Sequence, residues 1–133
     1  MKSLFVRDHM SRKVQSVDLN LDILAATRFL VANGISGAPV LDEHGRLVGI
    51  LTERDCMRVA LHSGYHDTPY GLVRDYMTPN PDSVTPEQNI LTIAEKFIQG
   101  SYRRYPVVDN GRLVGIISRR DVLRAVVKKR GMG

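Results

Sequence analysis

Gly45-Arg46-Leu47-Val48-Gly49-Ile50 recurs, letter for letter, as Gly111-Arg112-Leu113-Val114-Gly115-Ile116. Six consecutive identities inside a longer ordered match mark an internal duplication, and a duplication dictates the architecture. The correspondence extends on both sides. Downstream, Arg54-Asp55 matches Arg120-Asp121 at the same offset. Upstream, one residue drops out of a loop and the offset grows by one. Pro39-Val40 and Asp42 then match Pro106-Val107 and Asp109, Ile23-Leu24 matches Ile90-Leu91, and Ser16-Val17 matches Ser83-Val84. Val6-Arg7-Asp8-His9-Met10 matches Val73-Arg74-Asp75-Tyr76-Met77.

Each copy reads as the same run of elements. An apolar strand around Val17 or Val84 comes first. Ile23, Ala26, Thr27, Leu30 and Val31, like Ile90, Ile93, Ala94, Phe97 and Ile98, follow the spacing of an amphipathic helix with one buried stripe. Two strands come next, Ala38–Leu41 with Leu47–Leu51 and Tyr105–Val108 with Leu113–Ile117. Asn110-Gly111 predicts a tight hairpin between the second pair, because both residues tolerate positive φ. The first pair turns through Asp42-Glu43-His44-Gly45, one residue longer, which explains the change of offset. A second helix closes each copy and is predicted to bury Met57, Ala60 and Leu61, or Leu123, Val126 and Val127.

The order is therefore βαββα, twice. A strand–helix–strand crossover favours parallel neighbours, and the hairpin adds an antiparallel strand, so each sheet is mixed. The fold class is α+β. One unit of about 60 residues is marginal alone, so the two are expected to pack face to face about a pseudo-two-fold axis. The repeats span 1–64 and 73–133, with residues 63–72 as linker.

The bulk numbers bound the function. The chain has 133 residues, 43% hydrophobic and 25% charged, as a globular domain does. No secretory signal is read at the N-terminus, where Arg7 and Asp8 interrupt any apolar run. The longest uncharged run, Phe29 to Leu41, is too short and too rich in Gly and Pro to cross a bilayer. Cys56 is the single cysteine and has no internal disulfide partner, which fits a reducing cytoplasm. It aligns with Val122, which points to a small buried apolar position. The net charge is +5. Residues 1–67 hold eight Lys/Arg and eight Asp/Glu, whereas residues 68–133 hold eleven and six. The basic excess lies wholly in the second half and suggests an anionic partner.

Two tandem βαββα units, each ending Gly-hydrophobic-x-Thr/Ser-x-x-Asp, resemble a CBS-domain pair, the module named after cystathionine beta-synthase. Gly49-Ile50-Leu51-Thr52-Glu53-Arg54-Asp55 and Gly115-Ile116-Ile117-Ser118-Arg119-Arg120-Asp121 carry the resemblance, with Pro39-Val40-Leu41-Asp42, Pro106-Val107-Val108-Asp109, Asp8-His9-Met10 and Asp75-Tyr76-Met77. It covers the chain from Val6 to about Lys128. It implies a regulatory, signalling module and no enzyme, binding an adenosine-containing ligand in the cleft between the repeats. AMP, ADP or ATP come first, with S-adenosylmethionine or NAD as further ligands of this family and no cofactor proper. With no room for a catalytic neighbour, the chain resembles the stand-alone type. The resemblance also implies a homodimer, a flat four-domain disc, acting on a regulated protein partner that the sequence does not identify.

The residues that would do this can be named. Asp55 and Asp121 each offer two carboxylate oxygens to the paired hydroxyls of a ribose, at roughly 1.5–3 kcal/mol per charge-assisted bond before desolvation. Thr52 and Ser118, at the strand-to-helix turns, reach ribose or phosphate, beside helix N-termini that favour an anion. The same Thr/Ser-x-x-Asp spacing is also capping-box chemistry. Arg103 and Arg104, with Arg120, are the phosphate candidates, since a guanidinium fork matches phosphate oxygens. Their alternative is a solvated surface cluster, and for Arg119 that reading is the stronger one. Ser36 and Gly37 stand where Arg103 and Arg104 would in the first copy, so the two sites are unequal. For the adenine, Val17, Ile35, Ala38, Pro39 and Ile50 form one candidate slot, and Val84, Tyr102, Tyr105, Pro106 and Ile116 the other, with Tyr102 able to stack on a base. Plain core packing is the alternative for these residues, and for Val17, Val84, Ile50 and Ile116 it is the stronger reading.

His62 and His66 are spaced as helical metal ligands can be, but Gly64 lies between them and no third ligand is evident, so no metal is expected. Lys128-Lys129-Arg130 complements a helix C-terminus. Two rival functions remain: a structural or protein-interaction module in which Thr52, Asp55, Ser118 and Asp121 are only caps, and nucleic-acid binding through the basic second half. No recognition-helix pattern supports the latter.

Overall fold

The computed structural model describes residues 3–63 and 70–129, without the side chains of residues 62, 63 and 129. The His62–His66 pair, most of the 63–72 linker and the end of the Lys128-Lys129-Arg130 cluster fall outside that description. The elements follow the predicted order with two departures: a short helix and strand that were not predicted precede the second repeat, and the strand expected around Val84 is reduced to a single bridge. They are β1 (Val17–Asp18), α1 (Ile23–Asn33), β2 (Gly37–Leu41), β3 (Leu47–Thr52) and α2 (Glu53–Ser63), then a short α3 (Val73–Tyr76), β4 (Thr78–Pro79), α4 (Ile90–Gln99), β5 (Arg104–Asp109), β6 (Arg112–Ser118) and α5 (Arg119–Lys129).

The compact bodies are cut differently from the sequence repeats. One comprises Gln15–Pro81; the other joins Met1–Val14 to Asp82–Gly133. The segment that precedes each repeat thus folds with the other one. Val6 is fully buried in the core formed by Val84, Ile90, Ile93, Tyr105, Val107 and Ile117, all from the second repeat. Its counterpart Val73 is fully buried among Val17, Ile23, Ala26, Leu30, Val40 and Leu51 of the first. Burying one such valine contributes about 1.5–3 kcal/mol. The exchange is therefore part of each core.

In the first-repeat unit the sheet order is β1-β2-β3-β4. β1 lies parallel to β2, and β2 is antiparallel to β3 with Pro39 opposite Ile50. β4, from the exchanged segment, is antiparallel to β3 with Thr78 opposite Ile50. The second-repeat unit repeats this order around β5 and β6, with Pro106 opposite Ile116. Its outer strands shrink to single bridges, Val84 parallel to Val107 and Ser11 antiparallel to Ile116. The mixed sheets predicted from the crossover and the hairpin are thus present. Asn110 and Gly111 take φ of 51° and 83°, as their tight turn requires. In the longer turn, the Asp42 carboxylate accepts from the backbone N–H groups of Arg46 at 2.9 Å and His44 at 2.8 Å. The Arg46 bond chiefly holds its pKa below the ordinary value.

The helices start and stop where local chemistry directs. Asp22 caps α1 by accepting from Ala25 N at 3.1 Å, and Gly34 ends it at φ 61°. Asn89 caps α4 by accepting from Leu91 N at 2.8 Å. Ile23, Ala26 and Leu30, and likewise Ile90, Ile93 and Phe97, face the cores as predicted. The outer edge of each stripe does not. Val31 is 77% and Ile98 83% exposed. The prediction for the closing helices is corrected in the same sense. Cys56 and Val59, and their equivalents Val122 and Ala125, are the buried residues, whereas Met57, Leu61 and Leu123 stand out from the surface and Val127 is more than a third exposed. Ala60 is exposed and Val126 half-buried.

Candidate functional site

The two Thr/Ser-x-x-Asp stretches sit where β3 turns into α2 and where β6 turns into α5. In the first-repeat unit, Thr52 N and Thr52 Oγ1 both donate to Asp55 Oδ2 at 3.0 Å, and Asp55 N donates back to Thr52 Oγ1 at 3.2 Å. This is a reciprocal capping box with aspartate in the place of glutamate. Thr78, from the exchanged segment, adds its hydroxyl at 3.4 Å from each oxygen of Asp55. Asp55 is only 4% exposed, the one buried charged residue among the described residues. Burying a carboxylate is tolerable because these donors replace water. Among the described residues no buried side-chain polar atom lacks a partner.

The second-repeat unit keeps the backbone bonds of this box, but among the described residues Asp121 lacks the two hydroxyl donors that Asp55 has. Ser118 N donates to Asp121 Oδ2 at 2.9 Å, and Asp121 N donates to Ser118 Oγ at 3.1 Å. Asp121 Oδ1 takes its bond from Arg124 at 3.3 Å. The Asp121 side chain is 17% exposed and that of Arg124 58%. A solvated ion pair of this kind holds its geometry weakly. Asp121 therefore has one oxygen that an incoming hydroxyl can claim, whereas Asp55 is enclosed.

The apolar candidates divide by depth. Val17, Ala38, Val84 and Tyr105 are core residues, and Pro39 and Pro106 are buried beside them. Ile35, Ile50, Tyr102 and Ile116 are half-buried and keep surface to offer. Leu51 and Ile117 point into the cores, so Ile50 with Thr52, and Ile116 with Ser118, face the other side of their sheets. Across the strands, each isoleucine stands between a proline and a hydroxyl residue: Pro39 and Thr78 in one unit, Pro106 and Ser11 in the other. Tyr102 stacks on Tyr105, with ring centroids 4.8 Å apart and planes 16° apart, so one of its faces is already covered.

Arg103, Arg104, Arg119 and Arg120 are all exposed. Arg119 N donates to Arg103 O at 3.2 Å, and Arg119 Nε donates to Tyr102 O at 3.1 Å. Beside them, Lys96 meets Asp82 at 2.8 Å, and this hydrogen bond raises the lysine pKa. Burial pushes the Cys56 thiol up. Among the described residues no three His, Cys, Asp or Glu side chains are placed to hold a metal ion, and no helix is long and apolar enough to cross a membrane.

Two residues escaped the sequence reading, Thr78 on Asp55 and Arg124 on Asp121, and so did the docking of the Met10-Ser11 segment against β6. The hydroxyl following methionine in both copies, Met10-Ser11 and Met77-Thr78, was the available signal.

A family model described as the CBS domain matches the chain twice, at residues 6–62 and 73–128. An uncharacterized protein of Methanocaldococcus jannaschii, MJ1225, is 31% identical over 90% of this chain, which spans only 41% of that relative's length. Among solved structures, CBSX2 of Arabidopsis thaliana in complex with AMP superposes with a TM-score of 0.81 at 30% identity, covering 96% of this chain and 99% of that one. The CBS domain pair of protein MJ0100, in complex with 5'-methylthioadenosine and S-adenosyl-L-methionine, gives 0.72 at 28% identity, covering 94% and 97%.

Proposed function

Since the chain belongs to the CBS-domain family and carries that domain twice, we propose that it is a regulatory module, and no enzyme, that binds an adenosine-containing ligand through the Ser118–Asp121 turn of its second-repeat unit. The observation that carries this reading is the half-open carboxylate of Asp121, held on one side by Arg124 alone and followed along the same edge by the arginines of β5 and α5. A ribose diol takes over Asp121 Oδ1, Arg103, Arg104 and Arg120 take the phosphate, and Ile116 with the free surface of Tyr102 receives the base. Relatives crystallised with AMP and with S-adenosyl-L-methionine support the ligand class. AMP, ADP and ATP fit the arginines best. The enclosed Asp55 and the uncharged Ser36 and Gly37 make the first-repeat unit the poorer site. Binding alters a partner only through unequal affinity for two arrangements of the module.

A thermal-shift panel of AMP, ADP, ATP, NAD and S-adenosylmethionine, with and without magnesium, tests this. A rise in melting temperature with at least one nucleotide is expected. A flat panel favours the rival in which both Thr/Ser-x-x-Asp boxes are caps and nothing more. A salt-sensitive shift on generic DNA or RNA with a flat panel favours nucleic acid instead.

We also propose self-association as a homodimer. Val31, Met57 and Leu61 stand exposed on α1 and α2, and their equivalents Ile98, Leu123 and Val127 on α4 and α5. Apolar rows repeated at matching positions are what an interface between copies needs. In the first-repeat unit Val31 and Met57 rim a groove of about 470 Å³. Light scattering of the double variant Met57→Glu with Leu123→Glu is expected to give monomer where the parent gives dimer. The buried thiol of Cys56 fits the cytoplasm as the compartment.

A further inference from the structure

The two units share one backbone frame at the strand-to-helix turn but dress it with opposite electrostatics. In the first, Glu53 N donates to Ser36 O at 2.9 Å; in the second, Arg119 N donates to Arg103 O at 3.2 Å. Around that shared bond the first-repeat unit carries Ser36, Gly37, Glu53 and Arg54, whose charges cancel. At the matching positions the second carries Arg103, Arg104, Arg119 and Arg120. None of these four makes an ion pair among the described residues. The acids of the same unit that do pair meet other cations, Asp121 with Arg124 and Asp82 with Lys96. Four unneutralised guanidiniums on two hydrogen-bonded segments repel one another and hold a strongly positive local potential.

We infer that this arginine quartet selects the phosphate chain of the ligand, so that the second-repeat site is a polyphosphate site with preference ATP over ADP over AMP. This rests on the adenosine reading above and adds to it the chemistry of the anion. A monophosphate presents at most two negative charges and engages one or two forks. A triphosphate extends along the edge and engages Arg103 and Arg104 together with Arg119 or Arg120. Arg119, read from the sequence as a surface residue, thereby joins the phosphate set. Its tie to Tyr102 O links phosphate contact to the ring that flanks the base. The first-repeat unit, neutral on the same frame, has no such preference.

The test is calorimetric titration of AMP, ADP, ATP and inorganic tripolyphosphate in the absence of divalent cations. It compares the full chain, the double variant Arg103→Gln with Arg104→Gln, and Arg112→Gln as a control for bulk charge. Arg112 lies at the far end of β6. In the full chain ATP is expected to bind roughly tenfold or more tighter than AMP, with tripolyphosphate competing and the advantage falling steeply with salt. In the double variant most of that advantage disappears while AMP affinity changes less; Arg112→Gln keeps it. Equal affinities for AMP and ATP, or equal losses for both in the double variant, overturn the inference and leave the adenosine reading standing. Tripolyphosphate binding that depends on Arg103 and Arg104, with no added affinity from adenosine, supports the anion site and overturns the adenosine reading.

Discussion

Met10 sits directly over the bare Cα of Gly115. A Cβ built on that glycine would lie 2.6 Å from the methionine sulfur and 2.8 Å from Ser11 O. Met77 and Gly49 repeat the relationship, at 2.6 Å to sulfur and 3.0 Å to Thr78 O. The glycine at the heart of the duplicated hexapeptide is thus the landing place of the exchanged segment.

Gly115→Ala is expected to destabilise the protein by about 2 kcal/mol, the usual scale of overpacking. Combining it with Met10→Ala should recover only part of this, because a flexible sulfur gives way but the Ser11 carbonyl, paired to β6, does not. Urea unfolding of the single and double variants measures the coupling. An unchanged midpoint for Gly115→Ala would mean the segment does not dock there.

The two aspartates should separate in stability. Asp55→Ala removes a buried acceptor of three donors and strands Thr52 N, so a loss of about 2–3 kcal/mol is expected. Asp121→Ala removes a cap and a solvated ion pair, and about 1 kcal/mol is expected. Denaturant titration at neutral pH orders the pair.

Stability should fall on the alkaline side. Lys96 has its pKa raised above 10.5, chiefly by its hydrogen bond to Asp82. Its contribution is complete below the unfolded-chain value and is lost as pH climbs through the higher folded one. Tyr105 and Tyr76, raised above 10.0 mainly by burial, lose stability in the same direction. With both partners partly solvated, Lys96–Asp82 contributes about 0.5 kcal/mol. Asp82→Asn should therefore be slightly less stable than the parent at neutral pH, with the difference closing as pH rises through the raised lysine pKa. A difference that persists there assigns the effect to something other than the charge.

Much of this was legible in the letters. The hexapeptide gave β3 and β6, Asn110-Gly111 gave the turn, and the alignment of Cys56 with Val122 gave a buried small position. Cys56→Val should accordingly cost less than about 1.5 kcal/mol. The segment exchange was not legible, because Val6-Arg7-Asp8-His9-Met10 and Val73-Arg74-Asp75-Tyr76-Met77 carry the same signals and either fits either glycine. Val31, Ile98, Met57 and Leu123 misled for a different reason. Periodicity reports that a face is apolar, and cannot tell a face packed in the core from one left at the surface. The aspartates were ambiguous by chemistry: a carboxylate three residues into a helix accepts a backbone N–H and a ribose hydroxyl with the same lone pairs. Burial and the donors around each carboxylate, the hydroxyls of Thr52 and Thr78 or the guanidinium of Arg124, distinguish the two copies.

Titrating ATP into the parent, Asp55→Asn and Asp121→Asn by calorimetry bears hardest on the account. Asparagine can still accept the backbone bond, so both folds should survive. One site is expected, weakened roughly tenfold or more by Asp121→Asn and about twofold at most by Asp55→Asn. Equal weakening, a larger loss at Asp55, or no heat in the parent would contradict it.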